Sequence, residues 1–269
     1  MEGSQANHAV LTVPCRYYRV YTDPGTSCVE RNFHFVERPL PIPIEQSALV
    51  LVDLWSTHYI DSWLRRAQEI TQTKVVPLLE AARKVGMTVI HGPSPFIADR
   101  YLQAPSPPNV TTDPSVPDWP PAAFRGIYRS GEYAAFGRDQ EPILPGVYKR
   151  YETELDINPI VRPIPGEPII HTGDQMHRLL AERKILHLFY AGFATNWCLM
   201  GRDYAIYAMD KHGYNIILIR DATTGIEFHD TVETLTATEM QIREFETKNA
   251  WSTTTESFVE ACDEIQASA

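Results

Sequence analysis

Cysteine is scarce in this chain. Four are present among 269 residues, at Cys15, Cys28, Cys198 and Cys262. None stands at the close spacing of a zinc or redox pair, so no metal and no cofactor is called for. A Cys15–Cys28 bridge is compatible with the sequence, but a reduced, cytoplasmic protein is the simpler expectation. Positive charge is in deficit too: 24 Lys and Arg against 34 Asp and Glu leave a formal net charge of −10. With the basic residues scattered, neither nucleic acid nor an anionic membrane surface is expected as a partner. Long apolar runs are missing, which argues against a membrane span. The opening residues Met1-Glu2-Gly3-Ser4-Gln5 lack a basic stretch leading into an apolar core, so no secretory signal is expected. There is no internal repeat.

What is present is an alternation of buried strands and amphipathic helices. Strands are expected at 48–52, 88–91, 168–171, 186–191 and 215–220. A helix from about Arg65 to Val85 carries Ile70, Val75, Leu78, Leu79 and Ala82 at helical spacing, and Pro77 should kink or divide it. Further helices are expected at 174–184, 199–211 and 231–247, and the tail from Trp251 adds a short strand or helix. This order predicts a three-layer α/β/α domain with a mainly parallel sheet over 47–269. Residues 1–46 read as an extension with short strands near 17–21 and 32–36 and a stiff proline-rich end at 39–43, lying on the surface of that domain or of a neighbouring subunit. A long insertion, about 92–165, is rich in proline, with Phe96, Tyr101, Trp119, Phe124, Tyr128, Tyr133 and Phe136 interleaved. That aromatic density predicts an ordered cover over the carboxyl edge of the sheet. The surplus apolar surface leads us to expect a homo-oligomer.

The chemistry is concentrated at two strand ends. Ala191-Gly192-Phe193-Ala194-Thr195-Asn196-Trp197-Cys198 places a cysteine where a buried strand turns into a helix. A helix N-terminus favours the thiolate, and its free amides can hold an oxyanion. The second end is Asp53, after the apolar run Ser47-Ala48-Leu49-Val50-Leu51-Val52. In an open parallel sheet, functional groups collect at the carboxyl ends of the strands.

Together with Asn215-Ile216-Ile217-Leu218-Ile219-Arg220-Asp221-Ala222, these segments resemble the isochorismatase-like cysteine hydrolases, which include nicotinamidases. The likeness runs from about Ser47 to Glu246, and its most specific element is Gly-x-x-Thr-Asn-x-Cys at 192–198. The resemblance implies Cys198 as nucleophile, Asp53 as general base, and an oxyanion hole formed by the amides of Ala194 and Cys198. It also implies a cis peptide between Phe193 and Ala194. A catalytic lysine belongs to the pattern, yet this chain has His171 at the corresponding place. A protonated His171 between Asp53 and Cys198 would supply the charge. Lys149 is the other candidate cation, although an ordinary surface lysine is the blander reading. Arg202, one helical turn after Cys198, is expected to pair with Asp203 or Asp221.

Trp55, His58, His91 and Trp197 are the expected pocket residues, with too few fixed ligands for a metal site. The function implied is hydrolysis of a small amide or related C–N bond through a covalent Cys198 intermediate, with ether cleavage that bypasses the cysteine as a variant. The alternative is an impaired homologue that binds a small molecule or serves as a scaffold.

Overall fold

Strand and helix alternate from residue 47 onward, but the sheet begins earlier. The computed structural model describes residues 9–102, 117–141 and 146–268. Two antiparallel strands come first, β1 (Val10–Arg19) and β2 (His34–Pro43). Next come β3 (Ser47–Val52), helices α1 (Asp61–Ile70) and α2 (Val76–Lys84), β4 (Thr88–Gly92) and α3 (Pro95–Tyr101). Beyond the insertion lie α4 (Val147–Glu154), α5 (Gly173–Glu182), β5 (His187–Gly192), α6 (Cys198–Gly201) and α7 (Ile206–Lys211). The chain continues with β6 (Asn215–Ile219), α8 (Thr236–Lys248), β7 (Trp251–Thr253) and α9 (Thr255–Ser268).

The seven strands form one sheet in the order β2-β1-β7-β6-β5-β3-β4. The pairs from β7 to β4 are parallel, and β1 joins β7 antiparallel. Alternation along β3 builds the layers. Leu49 and Leu51 face a core shared with α1, α2 and α9, while Val50 and Val52 face one shared with α5, α7 and α8. The chain leaves β3 toward β4, then returns to the other flank of β3 as β5. That reversal opens a crevice at the carboxyl ends of β3 and β5, the usual ligand position in an open α/β sheet.

Several expectations change. The 1–46 segment does not merely lie on the surface, because its strands extend the sheet. Leu11, Val13 and Cys15 alternate into the core and cover the edge that β7 would otherwise expose. β2 runs through Pro39, Pro41 and Pro43. Prolines at alternate positions leave the partner-facing donors intact and remove outward ones, which is tolerable on an edge strand. Pro77 does divide its helix: a π-helical stretch, Thr71–Val75, separates α1 from α2.

The strand expected at 168–171 shrinks to a single bridge, His91 to Ile169. Pro168 has no amide to continue a ladder, and Thr172 already turns the chain to cap α5. The helix expected at 199–211 is broken into α6 and α7 where Tyr204 dives into the core and bonds to the Pro93 carbonyl at 2.8 Å. The helix expected at 231–247 starts only at Thr236, after Leu235 adopts φ 53°.

Candidate active site

Asp53 lies directly beyond β3 and is 1 % exposed. Its backbone enters the left-handed region at φ 44°, which turns the chain away from the strand and toward the crevice. A bare carboxylate buried this deeply is costly, so it must be paired. Here both oxygens are occupied. Oδ1 accepts from Trp55 Nε1 at 2.9 Å and from Ser94 Oγ at 2.8 Å. Oδ2 accepts from Arg202 Nε at 3.1 Å and Nη2 at 2.9 Å.

The second half of the site follows β5. Gly192 has φ 118°, and a Cβ there would lie 2.0 Å from the Val52 carbonyl oxygen, so only glycine fits between the two strand ends. The Phe193–Ala194 peptide is cis. Phe193 donates its amide to the Val52 carbonyl, and Thr195 donates to Thr224, which ties the turn to both neighbouring strand ends. Cys198 then opens α6. Its thiol lies beside Asp53 and the Ala194 amide.

Burial, together with the charge of Asp53, pushes Cys198 up to about 12, against the lowering effects of Arg202 and the Ala194 amide. This reverses the expectation of a helix-stabilised thiolate. α6 has only four residues and thus little dipole, while the adjacent carboxylate is close. The resting pair is therefore a thiol and a carboxylate.

Above them is a narrow recess of about 10 Å³, room for little more than one water, lined by Asp53, Trp55, His58, Trp63, Phe193, Ala194, Trp197, Cys198 and Ile226. His58 stacks on Trp55 with ring centroids 5.3 Å apart, and its Nδ1 accepts from the Ile60 amide. Burial, assisted by Arg150, lowers His58 to about 4, so at neutral pH it presents an uncharged ring. Larger grooves lie elsewhere, one of them beside β1 and the end of α8, but none includes Cys198.

Cys198, Asp53, Ala194, Trp55, His58 and Trp197 are thus brought together. His91 and His171 are not among the cavity residues. His91 bonds to Glu167 at 2.8 Å, and Glu167 is also held by Arg83 of α2, which commits His91 to a structural hydrogen bond. His171 donates its amide to Gln175, and its Nδ1 lies 3.3 Å from Asp99. The cation expected of His171 is supplied on Asp53 by Arg202, because α6 ends after one turn and releases Arg202 toward the carboxylate. Lys149 sits exposed on α4, in a separate groove.

The aromatic cover also fails in its expected form. Among the described residues, none from Trp119 to Phe136 lines the cavity. This segment packs on itself, with Arg129 4.0 Å over the Phe124 ring and Phe124 edge-on to Tyr133. Among the described residues, the ends of the insertion reach the core through Ile97, Leu155, Ile157 and Val161. Residues 103–116 and 142–145 of the insertion lie outside the described residues.

The sequence reading missed Ser94, Trp63, Phe193 and Ile226, and it misassigned Arg202. For Arg202 a signal existed in its four-residue spacing from Cys198, but a continuous helix hid it. Among the described residues no cluster of three or more His, Cys, Asp or Glu is placed to hold a metal, and no helix is long and apolar enough to cross a membrane.

No family model and no curated protein sequence matches this chain. Solved structures do. A cysteine hydrolase from Pseudomonas syringae pv. phaseolicola 1448A superposes with a TM-score of 0.53 at 16 % identity, over 84 % of this chain and 96 % of that one. An isochorismatase from Pseudomonas putida KT2440 gives 0.47 at 16 % identity, over 80 % and 90 %. A nicotinamidase from Staphylococcus aureus gives 0.41 at 12 % identity, over 76 % and 96 %. At such identities the first of these establishes a shared fold, and the α/β architecture here is the isochorismatase-like one.

Proposed function

We propose that this chain of isochorismatase-like fold is a hydrolase that cleaves a small amide or related C–N bond through a covalent Cys198 intermediate. The observation that carries the reading is the thiol of Cys198 beside the buried, Arg202-paired carboxylate of Asp53 in one aromatic recess. Asp53 takes the thiol proton as sulfur attacks the carbonyl carbon. The amides of Ala194 and Cys198 receive the developing oxyanion, an arrangement typically worth about 3 kcal/mol per donor. Protonated Asp53 returns its proton to the departing nitrogen as the C–N bond breaks, leaving a thioester and a free amine. Water then attacks the thioester, Asp53 accepts its proton, and the acid departs as the thiol is restored.

A thiol held near 12 suits this scheme, since the proton moves within the reacting pair and not to solvent. The recess above the thiol is narrow and aromatic, so a substrate must be small and must part the surrounding rings to reach Cys198. The alternative of a binding or scaffold protein rested on a missing cation, and Arg202 on Asp53 removes that premise. Homo-oligomerisation stays within the proposal, and sedimentation showing a pure monomer at micromolar concentration would remove it.

The test is a panel of small amides with intact-mass trapping of an acyl adduct on Cys198. Asp53→Asn separates two roles. It should abolish turnover, because no group remains to shuttle the proton. It should also lower the pH at which Cys198 becomes alkylated, because the anion that opposes the thiolate is gone. Turnover surviving in Cys198→Ala would sink the reading.

A further inference from the structure

We propose that Arg202 is the positioning cation of this site, with Ser94 as its bridge to Asp53. The inference rests on the hydrolase reading above for its catalytic meaning, but its geometry stands alone. Arg202 places Nε and Nη2 on one oxygen of Asp53, and Nη2 also donates to Ser94 Oγ at 2.8 Å. Ser94 in turn donates to the other oxygen. The guanidinium therefore touches one carboxylate oxygen directly and the other through a hydroxyl, which fixes the plane of the group.

Two local features serve this contact. Ser94 occupies the N-cap of α3, where a serine ordinarily bonds to the helix amides, yet its side chain makes no cap and is spent on Asp53. Arg202 follows α6, whose first residue is Cys198, and its amide donates to the Cys198 carbonyl at 3.1 Å. Nucleophile and cation thus share one turn of backbone, so their spacing does not depend on a distant loop. Arginine also keeps its charge at any working pH.

The charged and titratable groups around the thiol are Asp53 after β3, His58 in the loop that follows it, and Arg202 and Tyr204 beyond α6. Of these, Arg202 is the permanent cation, and it offsets the repulsion between Asp53 and a thiolate.

Alkylation of Cys198 by iodoacetamide, followed against pH by peptide mass spectrometry on the full chain, needs no substrate. Exposed Cys28 serves as the reference in the same tube. Arg202→Gln should slow alkylation of Cys198 between pH 8 and 9 about tenfold relative to Cys28. Arg202→Lys should recover most of that loss but stay about threefold slower than the parent, because an ammonium cannot grip Asp53 from two nitrogens. A folded Arg202→Gln with the parental rate overturns the proposal. Should that variant fail to fold, Arg202→Lys decides alone, and a parental rate in it overturns the proposal. Failure of the hydrolase reading looks different: no acyl adduct forms, while alkylation still depends on Arg202.

Discussion

Asn196 and Ile226 are joined by a closed pair of hydrogen bonds. The Ile226 amide donates to Asn196 Oδ1 at 2.9 Å, and Asn196 Nδ2 donates to the Ile226 carbonyl at 2.8 Å. The bond ties the nucleophile turn to the loop after β6, whose Ile226 forms one wall of the cavity. Gly225 makes the approach possible, since a Cβ there would lie 2.9 Å from Asn196 Oδ1. Asn196→Ala is expected to cost about 1–2 kcal/mol of stability through the two lost bonds. With the wall loosened, KM should rise more than kcat falls. Denaturant unfolding and steady-state kinetics check the two parts, and unchanged values for both would refute the clamp.

His58 gives a pH dependence with a definite sign. Burial first, then Arg150, lowers it to about 4, whereas in the unfolded chain it titrates near its ordinary 6.5. Below pH 6.5 the unfolded state binds a proton that the folded state refuses, so stability falls as pH drops from about 6.5 to 4. Above that window the contribution is full. The full loss is on the order of 3 kcal/mol, from the size of the shift. Urea unfolding of the parent and of His58→Phe at pH 7.5 and 4.5 isolates the effect. A parent–variant difference that does not change between the two pH values would rule it out.

His171 is expected to be silent in the chemistry. With Arg202 on Asp53, His171→Ala should change the alkylation rate of Cys198 less than twofold. The same substitution should lower thermal stability, because His171 is buried beside Asp99 and α5. A large loss of Cys198 reactivity in a folded His171→Ala would restore the histidine to the site.

How much of this was legible in the sequence divides along a physical line. Continuous apolar runs made β3, β5 and β6 readable, and their ends carried Asp53 and Cys198 to the right edge of the sheet. Local pattern also placed the break at Pro77. What escaped depends on contacts between distant segments. Ser94 looks like any helix cap until Asp53 is folded against it, 41 residues away in sequence. Arg202 looks helical until Tyr204 is drawn into the core and breaks the helix. Short strands near 17–21 and 32–36 were legible, but not their place in the sheet, because β1 is set between β2 and a β7 that is three residues long and far along the chain.

The pairing of β1 with β7 has a further cost during synthesis. Arg16 bonds to Glu246 at 2.8 Å, and Thr253 Oγ1 donates to the Pro14 carbonyl at 2.7 Å, so the first strand is fastened to segments made late. A two-strand hairpin alone is at best marginally stable in water. As the chain leaves the ribosome, β1 and β2 must wait, with one edge unpaired, until Trp251–Thr253 has emerged. Closing so long a loop is entropically unfavourable and slow. The N-terminal hairpin is therefore the last part of the sheet to dock, and a nascent chain halted before β7 would expose two open edges, on β1 and on β6, each able to capture a strand from another molecule.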